Sequence, residues 1–154
     1  MDVFDIEELK PEHCKEVAEI EKSIFSLPWS ERSFMECVEG EDKHYFCAIE
    51  NGEVIGYCGY WGVLDEAEIC NVAVRADARK RGVGEALLNR MIEYGKSDKR
   101  TRFLLDVRVG NEAAISLYKK LGFKEDGIRP NFYDEPKEDA LLMAGMVRVD
   151  KMFS

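Results

Sequence analysis

Apolar residues along this chain change period several times, and each change marks an element. Cys14, Val17, Ile20, Ile24 and Phe25 recur at helical spacing behind Pro11. A proline is tolerated in a helix's first turn because its missing N–H would have no partner there. Pro28 breaks that run, and a second short helix is expected from about Ser30, with Phe34, Met35 and Val38 on its apolar side. Ahead of both, Val3–Leu9 reads as a short strand. In the middle of the chain the period falls to two. His44–Glu50 and Val54–Val63 are strand-like runs joined by Asn51-Gly52, a strong hairpin signal. Glu66–Val74 follows the Leu64-Asp65 turn, so a succession of antiparallel strands is expected here.

Beyond Val74 a basic, glycine-containing loop, Arg75–Gly82, leads into a helix carrying Val83, Ala86, Leu87, Met91 and Tyr94. Arg102–Val107 reads as a strand. Asn111 is a good N-cap for a helix with Ala114, Leu117, Tyr118 and Leu121 on one side, and Gly122 stands where the helix should end. Phe123–Arg129 and Asp139–Val147 are the last two expected strands. The order βααβββαβαββ predicts an α+β (mixed α/β) domain spanning residues 1–154. Its sheet should be mixed and largely antiparallel, with seven strands and four helices distributed on both faces.

Composition narrows the setting. Apolar residues make up 45% and charged residues 34%, a globular balance. No apolar run approaches the ~20 residues that cross a bilayer. The start, Met1-Asp2-Val3-Phe4-Asp5, is acidic and lacks the features of a signal peptide, so a cytoplasmic protein away from membranes is expected. A net charge of −9 argues against general binding of nucleic acid and suits a cationic partner. Cys14, Cys37, Cys47, Cys58 and Cys70 are odd in number and show no C-x-x-C spacing, so neither disulfides nor a metal site are expected.

One stretch departs from the acidic background. Arg79-Lys80-Arg81-Gly82-Val83-Gly84 lies between a strand and a helix, where free N–H groups and the helix dipole favour an anion. Gly82 and Gly84 allow a phosphate to approach the main chain without a Cβ in the way. A P-loop would need Gly-Lys followed by Ser or Thr, which is absent. A dinucleotide-binding turn would need a glycine where Leu87 stands and a parallel βαβ unit where antiparallel strands are expected.

The same stretch fits the coenzyme A signature Arg/Gln-x-x-Gly-x-Gly/Ala, and in it the chain resembles the GNAT family of N-acetyltransferases. The element order resembles that fold from Val3 to about Val147. More narrowly, the chain is similar to the ribosomal-protein-alanine N-acetyltransferases. The matching stretches are Pro28-Trp29-Ser30, Asn71-Val72-Ala73-Val74, Asp106-Val107-Arg108, Asn111 through Gly122-Phe123, and Arg129-Pro130-Asn131-Phe132-Tyr133.

The resemblance implies acetyl-coenzyme A as co-substrate and a protein or peptide N-terminus as acceptor, with a basic ribosomal protein as the expected partner. It implies that Val72, Ala73 and Val74 offer main-chain groups to the pantetheine arm. Arg79, Lys80, Arg81, Gly82, Val83, Gly84 and Glu85 would then hold the pyrophosphate, with Asn111 also touching the cofactor. A main-chain N–H near Val74 would polarise the thioester carbonyl as an oxyanion-hole donor does. Tyr118 takes the place of the family's proton donor to the departing thiolate. Asp106 stands where close relatives carry a glutamate base, shorter by one carbon–carbon bond or about 1.5 Å. Tyr133 and Glu68 are weaker candidates for gripping the acceptor or relaying its proton, and His13 and His44 read as surface or structural residues. The alternatives are an acetyltransferase for a small amine or a lysine, and a protein that binds acyl-coenzyme A without turnover.

Overall fold

The computed structural model describes residues 3–146. A single sheet organises the fold, its strands lying in the order β1-β2-β3-β4-β5-β7-β6. These are β1 (Asp5–Glu8), β2 (Lys43–Glu50), β3 (Glu53–Val63), β4 (Glu66–Val74), β5 (Arg102–Arg108), β6 (Lys124–Asp134) and β7 (Lys137–Met146). Every neighbouring pair is antiparallel except β4 with β5. Helices α1 (Cys14–Ile24) and α2 (Glu31–Glu39) cover one face, and α3 (Val83–Ser97) and α4 (Glu112–Lys120) cover the other. The expected seven strands and four helices are therefore present, in the expected order.

Each face has its own core. Cys14, Val17, Phe34, Cys37, Cys47 and Tyr57 pack under α1 and α2, while Phe46, Ile55, Leu87, Leu88, Met91 and Phe103 pack under α3. Fully burying an aliphatic or phenylalanine side chain of this size contributes roughly 1.5–3 kcal/mol. Of the five cysteines, four are buried among these apolar groups and only Cys70 is exposed. Phe25 is the exception to the helical reading. It adopts an extended backbone as the C-cap of α1 and is exposed, because α1 ends at Ile24, ahead of Pro28.

Local chemistry explains the helix ends. Ser30 caps α2 by accepting from Ser33 N at 3.2 Å, and Asn111 caps α4 by accepting from Ala114 N at 3.3 Å. Gly122, at φ 98°, closes α4 in the left-handed conformation that glycine adopts without strain.

The last hairpin is longer than its pattern suggested. β6 continues past Arg129 to Asp134, carrying Pro130 with it. Pairing with β7 lapses between Arg129 and Tyr133, so Pro130 sits in an irregularity of an edge strand, where its missing N–H breaks no ladder. Val147 lies outside the described residues.

Candidate active site

The central feature arises where β4 and β5 part. Their parallel pairing runs from Glu66↔Arg102 to Ile69↔Leu105 and stops there. β4 nevertheless continues to pair with β3 as far as Val74, and β5 with β7 as far as Arg108. The strands therefore diverge into a wedge with Asn71–Val74 on one side and Asp106–Arg108 on the other.

A bulge at Cys70 accounts for the parting. Against β3 the register passes from Tyr60↔Ile69 to Gly59↔Asn71, which leaves Cys70 as the extra residue. A bulge bends its strand and re-aims the side chains beyond it. The parity of β4 switches accordingly. Ala67 and Ile69 point into the α3 core, but beyond the bulge Val72 and Val74 do so, and Ala73 joins the α1–α2 core. Asn71, nearly buried, accepts a hydrogen bond from Tyr45 Oη at 2.6 Å, and Trp61 Nε1 donates to the same Tyr45 oxygen at 3.1 Å. This relay pins the bulged segment from the α1–α2 face.

Main-chain groups on both sides turn into the wedge. Arg75 N donates to Ile55 O at 2.8 Å, so Arg75 and Ile55 form a hydrogen-bonded pair in the β3–β4 ladder. Bonded and non-bonded pairs alternate in antiparallel sheets. Val74 and Val72 therefore direct their N–H and C=O groups away from β3 and into the wedge, and the Val74 carbonyl is met by Arg79 Nε at 3.1 Å. By the same reasoning Val109 N, donating to Asp139 O, sets the β5–β7 alternation. Asp106 and Arg108 then face the wedge with their main-chain groups. An extended ligand would find a sheet-like edge on either side.

At one end of the wedge lies the basic turn. Lys80 and Gly82 both take positive φ, 63° and 81°, and Gly82 serves as N-cap of α3. The first helical bond is Ala86 N to Gly82 O. The N–H groups of Gly82, Val83, Gly84 and Glu85 thus have no acceptor inside the helix and present an anion site. Side chains in this turn are differently employed. Val83 is buried, Arg81 is paired with Glu50, and Glu85 is bound to Lys120 of α4 at 3.1 Å, whereas Lys80 is exposed. A Cβ on Gly84 would lie 3.5 Å from Leu117 Cδ2 and 3.7 Å from Val74 Cγ2, so the missing side chain keeps space between α3, α4 and the end of β4.

Two ionisable groups reach the wedge from opposite faces of the sheet. Tyr118 comes from α4 and is 7% exposed. Burial, followed by the neighbouring Cys58 and Tyr133, raises its pKa well above the usual phenol range. Cys58 of β3 is the ladder partner of Val72, and Tyr133 belongs to β6. The Tyr118 hydroxyl makes no hydrogen bond among the described residues, yet is not a sealed atom. Asp106 projects from the other face, because Phe103, Leu105 and Val107 take the α3 side of β5. Its Oδ1 is buried, makes no hydrogen bond among the described residues, and faces Arg129 Nε at 3.4 Å. Tyr133, raised by burial and by the Asp106 charge against the pull of Arg108, stands close by. Asn111 is exposed at the head of α4 and its carboxamide oxygen is spent on the cap.

Some neighbours of the wedge were missed by the linear pattern. Arg108 alternates with Asp106 on one face of β5; it pairs with Glu138 at 3.2 Å, donates to Pro136 O at 2.8 Å, and lies 4.3 Å over the Tyr133 ring. Glu21 is 3% exposed, accepting from Tyr57 Oη at 2.5 Å and from Trp29 N at 2.9 Å. Its signal was available, since a carboxylate one residue after Ile20 and four after Val17 falls on the apolar stripe of α1. Ser26 Oγ donates to Glu135 O at 2.5 Å, tying the α1–α2 connection to the β6–β7 turn. Glu68 and Cys70 are exposed on β4, while His13 and His44 are held in structural contacts with Cys47 and Asp98. Among the described residues no cluster could hold a metal ion, and no helix is long and apolar enough to cross a membrane.

Residues 13–123 match the model of the acetyltransferase (GNAT) family. A Bacillus subtilis protein is 40% identical over 139 residues, covering 90% of this chain and 92% of its own length. The ribosomal protein bS18-alanine N-acetyltransferase of Escherichia coli K12 is 39% identical over 127 residues, covering 81% of this chain and 85% of its own. Among solved structures, the ribosomal-protein-S18-alanine N-acetyltransferase from Escherichia coli superposes with a TM-score of 0.85 at 34% identity, over 96% of this chain and 98% of that one.

Proposed function

Because this chain belongs to the acetyltransferase (GNAT) family, we propose that its wedge takes acetyl-coenzyme A and that the acetyl group passes to the N-terminal α-amine of a ribosomal protein. The observation that carries the reading is the divergence of β4 and β5, with main-chain donors on both edges and an anion-binding turn at one end. A pantetheine arm laid along β4 would complete the interrupted ladder. The N–H groups at the head of α3 would receive the pyrophosphate, with the Lys80 charge beside them. The residues fit such a ligand, since Gly84 leaves room between Val74 and Leu117.

The chemistry follows from the two faces. The amine nitrogen forms a bond to the thioester carbonyl carbon while the carbonyl oxygen gains charge, which the Val74 N–H would stabilise. The carbon–sulfur bond then breaks. Tyr118, a phenol protonated at neutral pH and raised further by burial, donates to the departing sulfur, and the proton lost by the amine goes through water to Asp106. Approach from opposite faces keeps the incoming amine apart from the outgoing thiolate. An α-amine of pKa ~7.7–8.0 is already neutral in about a tenth of molecules at pH 7, so a retracted carboxylate has little to do.

The acceptor follows the Escherichia coli relative, an alanine N-acetyltransferase of ribosomal protein bS18. The acidic chain, at net charge −9, would attract a basic protein of that kind. Incubation with acetyl-coenzyme A and bS18 bearing a free N-terminal alanine should release free thiol in step with addition of one acetyl group to the protein. Thiol release that is independent of bS18 would contradict the proposed acceptor.

A further inference from the structure

The geometry points to Arg129 as a positioning residue for the transfer: it holds the buried oxygen of Asp106 and leaves the other carboxylate oxygen turned to the acceptor amine. This rests on the reading of Asp106 as the base. Sheet register puts the two residues on one face. Arg108 and Arg129 both pair with Ala140 of β7, and Asp106 pairs with the next residue but one, Leu142. Paired residues in a ladder share a face, and so do alternate residues of one strand. Arg129 must therefore cross β7 diagonally to meet Asp106, and the residue between the two arginines is the small Ala140. The crossing is made, with Nε 3.4 Å from Oδ1.

The two oxygens of Asp106 are not equivalent. Oδ1 is buried and makes no hydrogen bond among the described residues, where the neighbouring guanidinium is what offsets its charge. The side chain keeps 21% exposure, and with Oδ1 sealed, Oδ2 is its reachable polar end. Arg108 is nearer in sequence but is taken by Glu138, by the carbonyls of Glu135 and Pro136, and by the Tyr133 ring. Among the described residues, the guanidinium of Arg129 has one further partner, the Phe132 ring at 5.6 Å. It also occupies the last regular β6–β7 pair before the irregularity that places Tyr133. A carboxylate shortened by one bond gains most from being fixed, because it has no spare reach with which to search for the amine.

A kinetic cycle with Arg129→Gln, Asp106→Asn and the double variant tests this, with acetyl-coenzyme A saturating and a bS18 N-terminal peptide varied. Misplacing a reacting group by 1 Å can cost about 10²-fold, so Arg129→Gln should lower kcat about 10- to 100-fold. In a second series, with the peptide saturating and acetyl-coenzyme A varied, the KM for acetyl-coenzyme A should not change. In the Asp106→Asn background the same replacement should have little further effect, and Arg129→Lys should recover part of the rate. An equal loss from Arg129→Gln with and without Asp106 would overturn the positioning role while leaving the base in place. Full activity of Asp106→Asn alone would instead overturn the base reading, and with it this inference. Thermal unfolding of each variant separates a kinetic loss from a failure to fold.

Discussion

Phe123 N donates to Tyr118 O at 2.9 Å, and the rings of the same two residues lie 5.7 Å apart. Together with the bond from Gly122 N to Lys119 O at 3.0 Å, this is a Schellman closure with its accompanying hydrophobic contact. The end of α4 thus sets both the backbone and the ring of Tyr118, and the proposed donation from its hydroxyl to one developing charge would gain from such rigidity.

Tyr118→Phe is accordingly predicted to separate chemistry from stability. The hydroxyl makes no bond among the described residues, so its removal should leave no orphaned partner and change stability by no more than about 0.5 kcal/mol. Loss of a positioned proton donor typically costs about 10²–10⁴-fold in rate. Steady-state kinetics beside a melting curve check both, and an unchanged kcat would return Tyr118 to a purely structural role.

Gly84 offers a test of the cofactor side. A single Cβ would meet Leu117 and Val74 at ordinary contact distances, so Gly84→Ala should fold normally. Gly84→Val adds two further methyl groups to the space between α3, α4 and β4, and should weaken acetyl-coenzyme A binding by about tenfold or more, roughly 1.4 kcal/mol. Calorimetric titration of both variants would settle it; wild-type affinity in a folded Gly84→Val protein would remove this space from the proposed ligand path.

Glu21→Ala should cost stability and acceptor handling together. It strips the Tyr57 hydroxyl and the Trp29 N–H of their common acceptor, at about 1–3 kcal/mol for each group left unsatisfied in the interior. Trp29 belongs to the connection that Ser26 ties to the β6–β7 turn, on the face of the sheet from which Asp106 projects and from which the amine is proposed to approach, so the KM for the peptide should rise more than that for acetyl-coenzyme A. Equal rises in both constants would place Glu21 outside the acceptor side.

Asp98 provides a pH test of the scaffold. Burial opposes its ionisation, but hydrogen bonds from Tyr60 at 2.7 Å and Arg100 at 2.9 Å, with the Arg100 and His44 charges, bring its pKa below the usual carboxylate value. A carboxyl group with a lowered folded-state pKa contributes stability that is present above its unfolded value of ~3.9 and lost as pH falls through the folded value. Asp98→Asn should therefore melt lower than the wild type at pH 7, with the difference narrowing below about pH 4. A constant difference across that range would mean that its ionisation is not linked to folding.

Much of this architecture is legible in the residues. Period-two runs around Asn51-Gly52 give the β2–β3 hairpin, and Asn111 and Gly122 bracket α4 with chemistry that serves little else. What stays hidden depends on the third dimension. The parting of β4 from β5 follows from one extra residue at Cys70, and its trace in the sequence is a change of apolar parity from Ala67 and Ile69 to Val72 and Val74. Pro130 argues against a strand when strand position is unknown, and β6 tolerates it because it lies at the sheet edge. The approach of Arg129 to Asp106 requires the order β5-β7-β6, which a linear pattern does not contain.

Mass spectrometry of one peptide in two forms distinguishes transfer to an α-amine from transfer to a lysine. The first carries a free N-terminal alanine and internal lysines; the second is identical with its N-terminus blocked. A lysine of pKa ~10.4 is neutral at pH 7 some 200-fold or more less often than an α-amine, a gap of about 3 kcal/mol that Asp106 would have to supply in addition. The expected result is a single acetyl group on the alanine of the first peptide and none on the second. Comparable acetylation of the blocked peptide would contradict it and make the enzyme lysine-directed.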